Sequence, residues 1–226
     1  LFLILLASLF FLLINKQQSE YHKNELQVWA SMKEGITYIY RTKEILGALC
    51  LDMFAVLFGG AVAMIPVFAS DILKVGADGF GLLNAASDIG SMMIIVTLSF
   101  IPLRKNQGKI LIGVVAGFGL CIIGFGLSKL YWLSFLFLML SGIFDGISVV
   151  IRGTIVQLKT PDHIRGRVMS ANSIFIMSSN EMGQFESGVA AKLLGVVRSV
   201  VFGGTMTVLI ALFVGKFVPK LRKMEY

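Results

Sequence analysis

Within the run SIFIMSSNEMGQFESGVAA, residues 173–191, four side chains can hold a proton or anchor a polar ligand: Asn180, Glu181, Gln184 and Glu186. The residues around them are otherwise those of a membrane-crossing helix. A charge near the centre of a bilayer costs roughly 2.5–3.5 kcal/mol on insertion scales, so such groups face either a partner or water. At about 100° per residue, Asn180, Glu181, Gln184 and Ser187 share one side of a helix, while Glu186 lies about 140° from Glu181. The two carboxylates therefore do not face one cavity directly. The stripe reads either as the wall of a water-filled route or as a hydrogen-bond network joining helices. A carboxylate at that depth can also load and release a proton, because desolvation favours its neutral form.

Other ionisable groups fall in apolar runs. Asp88, beside Ser87 and Gly90, is a cavity candidate, and Asp145 reads either as one or as a protonated carboxyl hydrogen-bonded to a neighbouring helix. Arg152 lies seven residues beyond Asp145, about 10 Å along a helix axis, a spacing that reads as too long for a direct salt bridge. It is read either as snorkelling to water or as a charge lock. Asp52, near the start of its run, reads as interfacial. Arg165 and Arg167, in the polar connector KTPDHIRGRVMS, serve either as gating charge locks or as anchors to anionic lipid.

The elements that must position these groups follow from composition. The chain has 226 residues, 56% hydrophobic and only 15% charged. A soluble domain carries about 25% charged residues, so lipid must be the solvent for most of this surface. The net charge of +7 sits in short clusters between apolar runs, which argues against nucleic acid. Cys50 and Cys121 sit in apolar runs and read as small hydrophobes, and His22 and His163 lie far apart in polar connectors. No metal site, cofactor or phosphate-cradling loop is expected, and ATP drive within the chain is not supported.

A crossing helix needs about 20 mostly apolar residues. Six segments qualify: 45–69, 77–101, 109–128, 131–156, 167–192 and 197–218. Residues 1–14 are read as the end of a helix that starts upstream, and 15–44 as a cytoplasmic connector. Within that connector, Trp29, Met32, Ile36, Ile39 and Tyr40 recur at helical spacing, the pattern of an amphipathic helix on the interface or, in its second half, of a lead-in to the next crossing. One set of alternate connectors, with the tail, holds 15 Lys and Arg, the other set 4. The positive-inside rule then puts the long connector and the C-terminus in the cytoplasm. The pairs Gly113/Gly117 and Gly142/Gly146 have the four-residue spacing that allows close helix packing.

The stretches MKEGITYIYRTKEILGAL, AMIPVFASDILKVGADGFGLLNAASDIGS and GTIVQLKTPDHIRGRVMSANSIFIMSSNEMGQFESGVAA carry a family likeness. In them the chain resembles the C-terminal half of a major facilitator superfamily transporter, in the bacterial branch of the enterobactin exporter and related drug-efflux-like permeases. The resemblance implies an all-α integral membrane fold of two six-helix halves around a central cavity. Residues 1–14 would end helix six, and 45–226 would supply helices seven to twelve. The loop between helices eight and nine, IPLRKNQGK, keeps Arg104, Lys105, Gly108 and Lys109 of the superfamily pattern but lacks its acidic partner, so Arg104 is a weaker gating candidate.

The reading is a secondary active transporter of the bacterial inner membrane, an antiporter exporting a siderophore-like, drug-like or other small molecule in exchange for protons. Its partners are that substrate, protons, the lipid bilayer and the missing N-terminal half. The alternatives are a membrane-embedded enzyme that uses the glutamates as acid and base, and a non-transporting sensor or scaffold with the same fold.

Overall fold

A computed structural model describes residues 25–101, 103 and 105–222, so the expected helix end at 1–14, the first part of the connector and Arg104 lie outside the described residues. The chain divides into two compact units, Leu1–Ser31 and Met32–Tyr226. Of the first, only the start of a helix is described. All contacts below belong to the second.

Every regular element among the described residues is helical. Helix α1 spans Glu25–Arg41 and α2 Lys43–Phe58, the latter continued to Ile72 by irregular helical turns. Then come α3 (Ala77–Phe100), α4 (Gln107–Leu127), α5 (Tyr131–Lys159), α6 (Arg165–Leu194), α7 (Val196–Phe217) and the short α8 (Pro219–Arg222). Among the described residues, five stretches are long and apolar enough to cross a membrane: Lys43–Ile72, Ala77–Phe100, Gln107–Leu127, Tyr131–Lys159 and Val196–Phe217. The sixth expected crossing falls in α6. At 30 residues α6 is about 45 Å long, enough for a crossing, but its polar stripe leaves it short of that apolarity.

The break after α2 has a local cause. Gly59 and Gly60 end the helix, and Pro66 lacks a backbone donor, so the chain proceeds through a tight turn, Ala61–Met64, and a widened turn, Phe68–Ile72. Two apolar cores hold the bundle. One joins Ile39, Ile45, Leu111, Ile151, Ile155 and Val168. The other joins Ile65, Phe68, Leu83, Phe125 and Leu138, with the rings of Phe68 and Phe125 4.5 Å apart.

Small residues set which helices touch. Helices α3 and α5 meet where Gly90 faces the Met139 carbonyl and Gly142 faces that of Ser87, and the Ser91 hydroxyl donates to the Gly142 carbonyl at 3.0 Å. The expected Gly142/Gly146 pair is thus a helix contact. The Gly113/Gly117 pair is not one as a unit. Gly117 lies under the Phe144 ring, but Gly113 has nothing within 4 Å, and the close approach of α4 to α7 is made by Gly119 and Gly204 instead.

From Met32 onward α1 turns its apolar side to protein, with Ile39 fully buried and Gly35 against the backbone of Arg167. The Tyr38 hydroxyl donates to the Lys159 carbonyl, and Arg167 pairs with Glu34. Helix α1 therefore clasps the end of α5 and the head of α6. The sequence reading had laid this apolar side on the membrane interface. Tyr40, counted there as part of the stripe, is exposed.

Candidate functional site

Helix α6 has two faces. On one, Ala171, Ser179, Gly183, Ser187 and Ala190 recur at intervals of three to four residues or twice that, and all are buried. Gly183 meets the backbone of Val56 and Leu57, and Gly60 comes up against the Gly183 carbonyl and the Ser187 hydroxyl. Only residues without bulk allow α6 to lie this close to α2. On the other face Asn180, Glu181 and Gln184 are exposed. Ser187, grouped with them at the sequence level, turns to α2 instead: four residues on from Gly183, it lies in the packed stripe.

Glu186 is half-buried and sits elsewhere, as its angular offset required. Among the described residues it is the one charged group lining a groove of about 530 Å³ between α2, α6 and α7, otherwise formed by Leu57, Met182, Phe185, Val189 and Phe202 with their apolar neighbours. Neither glutamate makes a hydrogen bond or ion pair with another described residue. Asp88, on α3, is exposed.

A second charged group is sealed inside the bundle. Arg152 on α5 is 6% exposed and forms an ion pair with Asp52 of α2, itself 6% exposed. The guanidinium is held from below by its own helix, where Nε donates to the Ser148 carbonyl at 3.3 Å and to the Ser148 hydroxyl at 3.2 Å. Its other end, Nη2, reaches to 3.9 Å from Asp145 Oδ1. The spacing of seven residues had implied that these two are out of reach. The arginine side chain folds back one turn to Ser148, and from there its Nη2 comes within 3.9 Å of Asp145. Asp52, read as interfacial, is buried, and Arg152 does not snorkel.

The cluster sets two carboxyl groups against one guanidinium. Asp52 is sealed, but the Asp145 side chain is 42% exposed. A small cavity of about 10 Å³, the size that holds a single water, lies between them, lined by Asp52, Asp145, Ser148, Val115, Phe118 and Phe144 among others. The sequence-level signal for this cluster was an acid and a base in separate apolar runs. Their pairing needed the packing of α2 on α5.

At the clasped end, Arg167 bridges α6 to α1 through Glu34, while Arg165 pairs with Asp162, three residues back in its own connector. Both pairs are partly solvated, with side chains at least 41% exposed. Among the described residues, no group of three or more His, Cys, Asp or Glu is placed to hold a metal ion.

The chain belongs to the family described as transmembrane secretion effectors, a branch of the major facilitator superfamily, which matches residues 2–226. It is thus an integral membrane protein of a transporter family. Searches of curated proteins and of solved structures each returned no significant match.

Proposed function

We propose that this chain is the C-terminal half of a secondary active transporter of the bacterial inner membrane, exporting a small siderophore-like or drug-like molecule in exchange for protons. The observation that carries the reading is the two-sidedness of α6. Its small residues are packed on α2, while Asn180, Glu181 and Gln184 have no partner among the described residues. In lipid, a polar face of this kind needs water or a second protein surface beside it. A central route shared with an N-terminal half supplies both, by the rocking of one half against the other around a midplane site. Membership of a secretion-effector family supports export.

Orientation follows from charge. The clasp at Glu34, Tyr38, Lys159 and Arg167, and the packing of Leu221 against Gly47 and Gly108, gather the Lys- and Arg-rich connectors at one end. The positive-inside rule makes that end, and the C-terminus, cytoplasmic.

The test is transport into inside-out vesicles energised by a proton gradient, with ethidium and an iron-free catecholate siderophore as probes. Glu181→Gln and Glu186→Gln would each be compared with the unaltered protein. The expected result is gradient-driven accumulation of one probe, reduced in Glu181→Gln. If both variants keep full coupling, the glutamates are not the carriers, and if neither probe moves in the unaltered protein, export of these two classes is wrong.

A further inference from the structure

We propose that the outer edge of α1, at its junction with α2, is a docking surface for anionic phospholipid headgroups. Lys33, Arg41 and Lys43 take the phosphates, and the Tyr40 ring is set among them. The surface requires the chain to lie in a bilayer, and it stands whether or not the protein exports anything.

The fold decides which cations remain free for lipid. Arg165 and Arg167, the two that the connector offered as lipid anchors, are each committed to a protein carboxylate, Asp162 and Glu34. The side chains of Lys33, Arg41 and Lys43 are exposed and make no ion pair or hydrogen bond with another described residue. Glu34 is taken by Arg167, and Glu44, in the first turn of α2, makes no ion pair with a described residue. Between positions 33 and 44, three unpaired cations therefore stand against one uncommitted carboxylate.

Helical spacing puts these charges on the free side of α1. At about 100° per residue, Lys33, Tyr40 and Arg41 fall within about 100° of arc, opposite the buried Gly35 and Ile39. The side that clasps α5 and α6 is thus the reverse of the charged one. Lys43 opens α2, which leads a stretch long and apolar enough to cross a membrane. A lysine at the end of a crossing keeps its ammonium at headgroup level, because moving it inward is costly. Only Thr42 separates Lys43 from Arg41, so the whole corner lies at that level. Tyr40, 59% exposed, is then where aromatic rings sit in a membrane, with the ring against lipid and the hydroxyl in the headgroups. A free anion would use the three charges and leave the ring in water. Zwitterionic lipid would cover the ring and leave the charges uncompensated. Anionic lipid satisfies both.

The test reads lipid composition at this edge directly. The chain has two tryptophans, Trp29 and Trp132, so Trp29→Phe/Trp132→Phe/Tyr40→Trp places a single fluorescent reporter on the surface. The protein is reconstituted in vesicles of phosphatidylcholine and phosphatidylglycerol. Quenching is compared with bromine on the acyl chains of one lipid or the other, at equal mole fraction. Phosphatidylglycerol is expected to quench as though enriched about fivefold or more around the reporter, since a single basic residue near an anionic surface contributes about that factor. The preference should fall toward one in about 1 M salt, where the Debye length is only about 3 Å. Adding Lys33→Gln/Arg41→Gln/Lys43→Gln should abolish it, and the charge-preserving Lys33→Arg/Arg41→Lys/Lys43→Arg should keep it. The salt series needs no charge variant and decides the matter if one of them fails to fold. Equal quenching by the two lipids overturns the proposal, and so does a preference that survives loss of all three charges. Quenching by neither lipid, the sign that protein or water covers this edge, overturns it as well.

Discussion

Replacing Gly183 and Gly188 by alanine should move the stability of this bundle in opposite directions, although the two glycines lie on the same helix five residues apart. A β-carbon at Gly183 would sit 2.7 Å from the Val56 carbonyl oxygen and 3.2 Å from Leu57 Cα, where ordinary contact begins near 3.4 Å. Both neighbours are backbone and cannot rotate away, so α6 and α2 would have to part by about 0.7 Å. Overpacking of this kind costs about 1–3 kcal/mol. Gly188 has nothing within 4 Å of its added carbon, so the alanine there meets no obstacle. Both variants gain the same helix preference of alanine over glycine, roughly 0.5–1 kcal/mol. That term cancels in the comparison, leaving Gly183→Ala less stable than Gly188→Ala by about 1–3 kcal/mol. Gly188→Ala should stabilise by roughly 0.5–1 kcal/mol. The assay is unfolding of the purified protein in detergent, read by a thiol-reactive dye, because Cys121 is buried and Cys50 half-buried until the fold opens. Equal stability of the two variants would refute the reasoning, because it would mean that the small-residue stripe does not set the distance between α6 and α2.

Asp52→Asn or Arg152→Gln alone leaves a buried charge unpaired and should destabilise by about 3–5 kcal/mol, while the double variant recovers most of the loss; a double-mutant cycle in the same assay measures the coupling. Tyr38→Phe deletes the donor to the Lys159 carbonyl and should cost about 1 kcal/mol in unfolding free energy, loosening the clasp without disturbing the core. Glu34→Gln breaks a partly solvated pair and should cost no more than about 1 kcal/mol, an effect that shrinks as salt is raised during thermal unfolding.

How much of the candidate site was legible in advance differs by residue. The exposed face bearing Asn180, Glu181 and Gln184, and the separation of Glu186 from it, follow from helical periodicity, because angular position along one helix is a property of spacing alone. Ser187 went to the packed stripe because a hydroxyl is small enough to lie against Gly60, and spacing does not weigh size. The pairing of Arg152 with Asp52 was not legible in advance because its partner lies 100 residues away, on a different helix. The distance from Arg152 to Asp145 was misjudged because rise per residue describes backbones, whereas a long side chain can fold back along its helix.

The sequence by itself determined that this is an all-helical membrane protein, since too few charged residues are present to cover a soluble surface and each long apolar run must satisfy its own backbone hydrogen bonds. It also determined where the runs begin and end within a few residues. Only the tertiary structure decided which helices touch, because contact in lipid is selected by the matching of small residues against backbone: Gly183 on Val56, Gly142 on Ser87, Gly119 on Gly204. Tertiary packing likewise sets Asp52 of α2 against Arg152 of α5, an ion pair that spacing within one helix could not show.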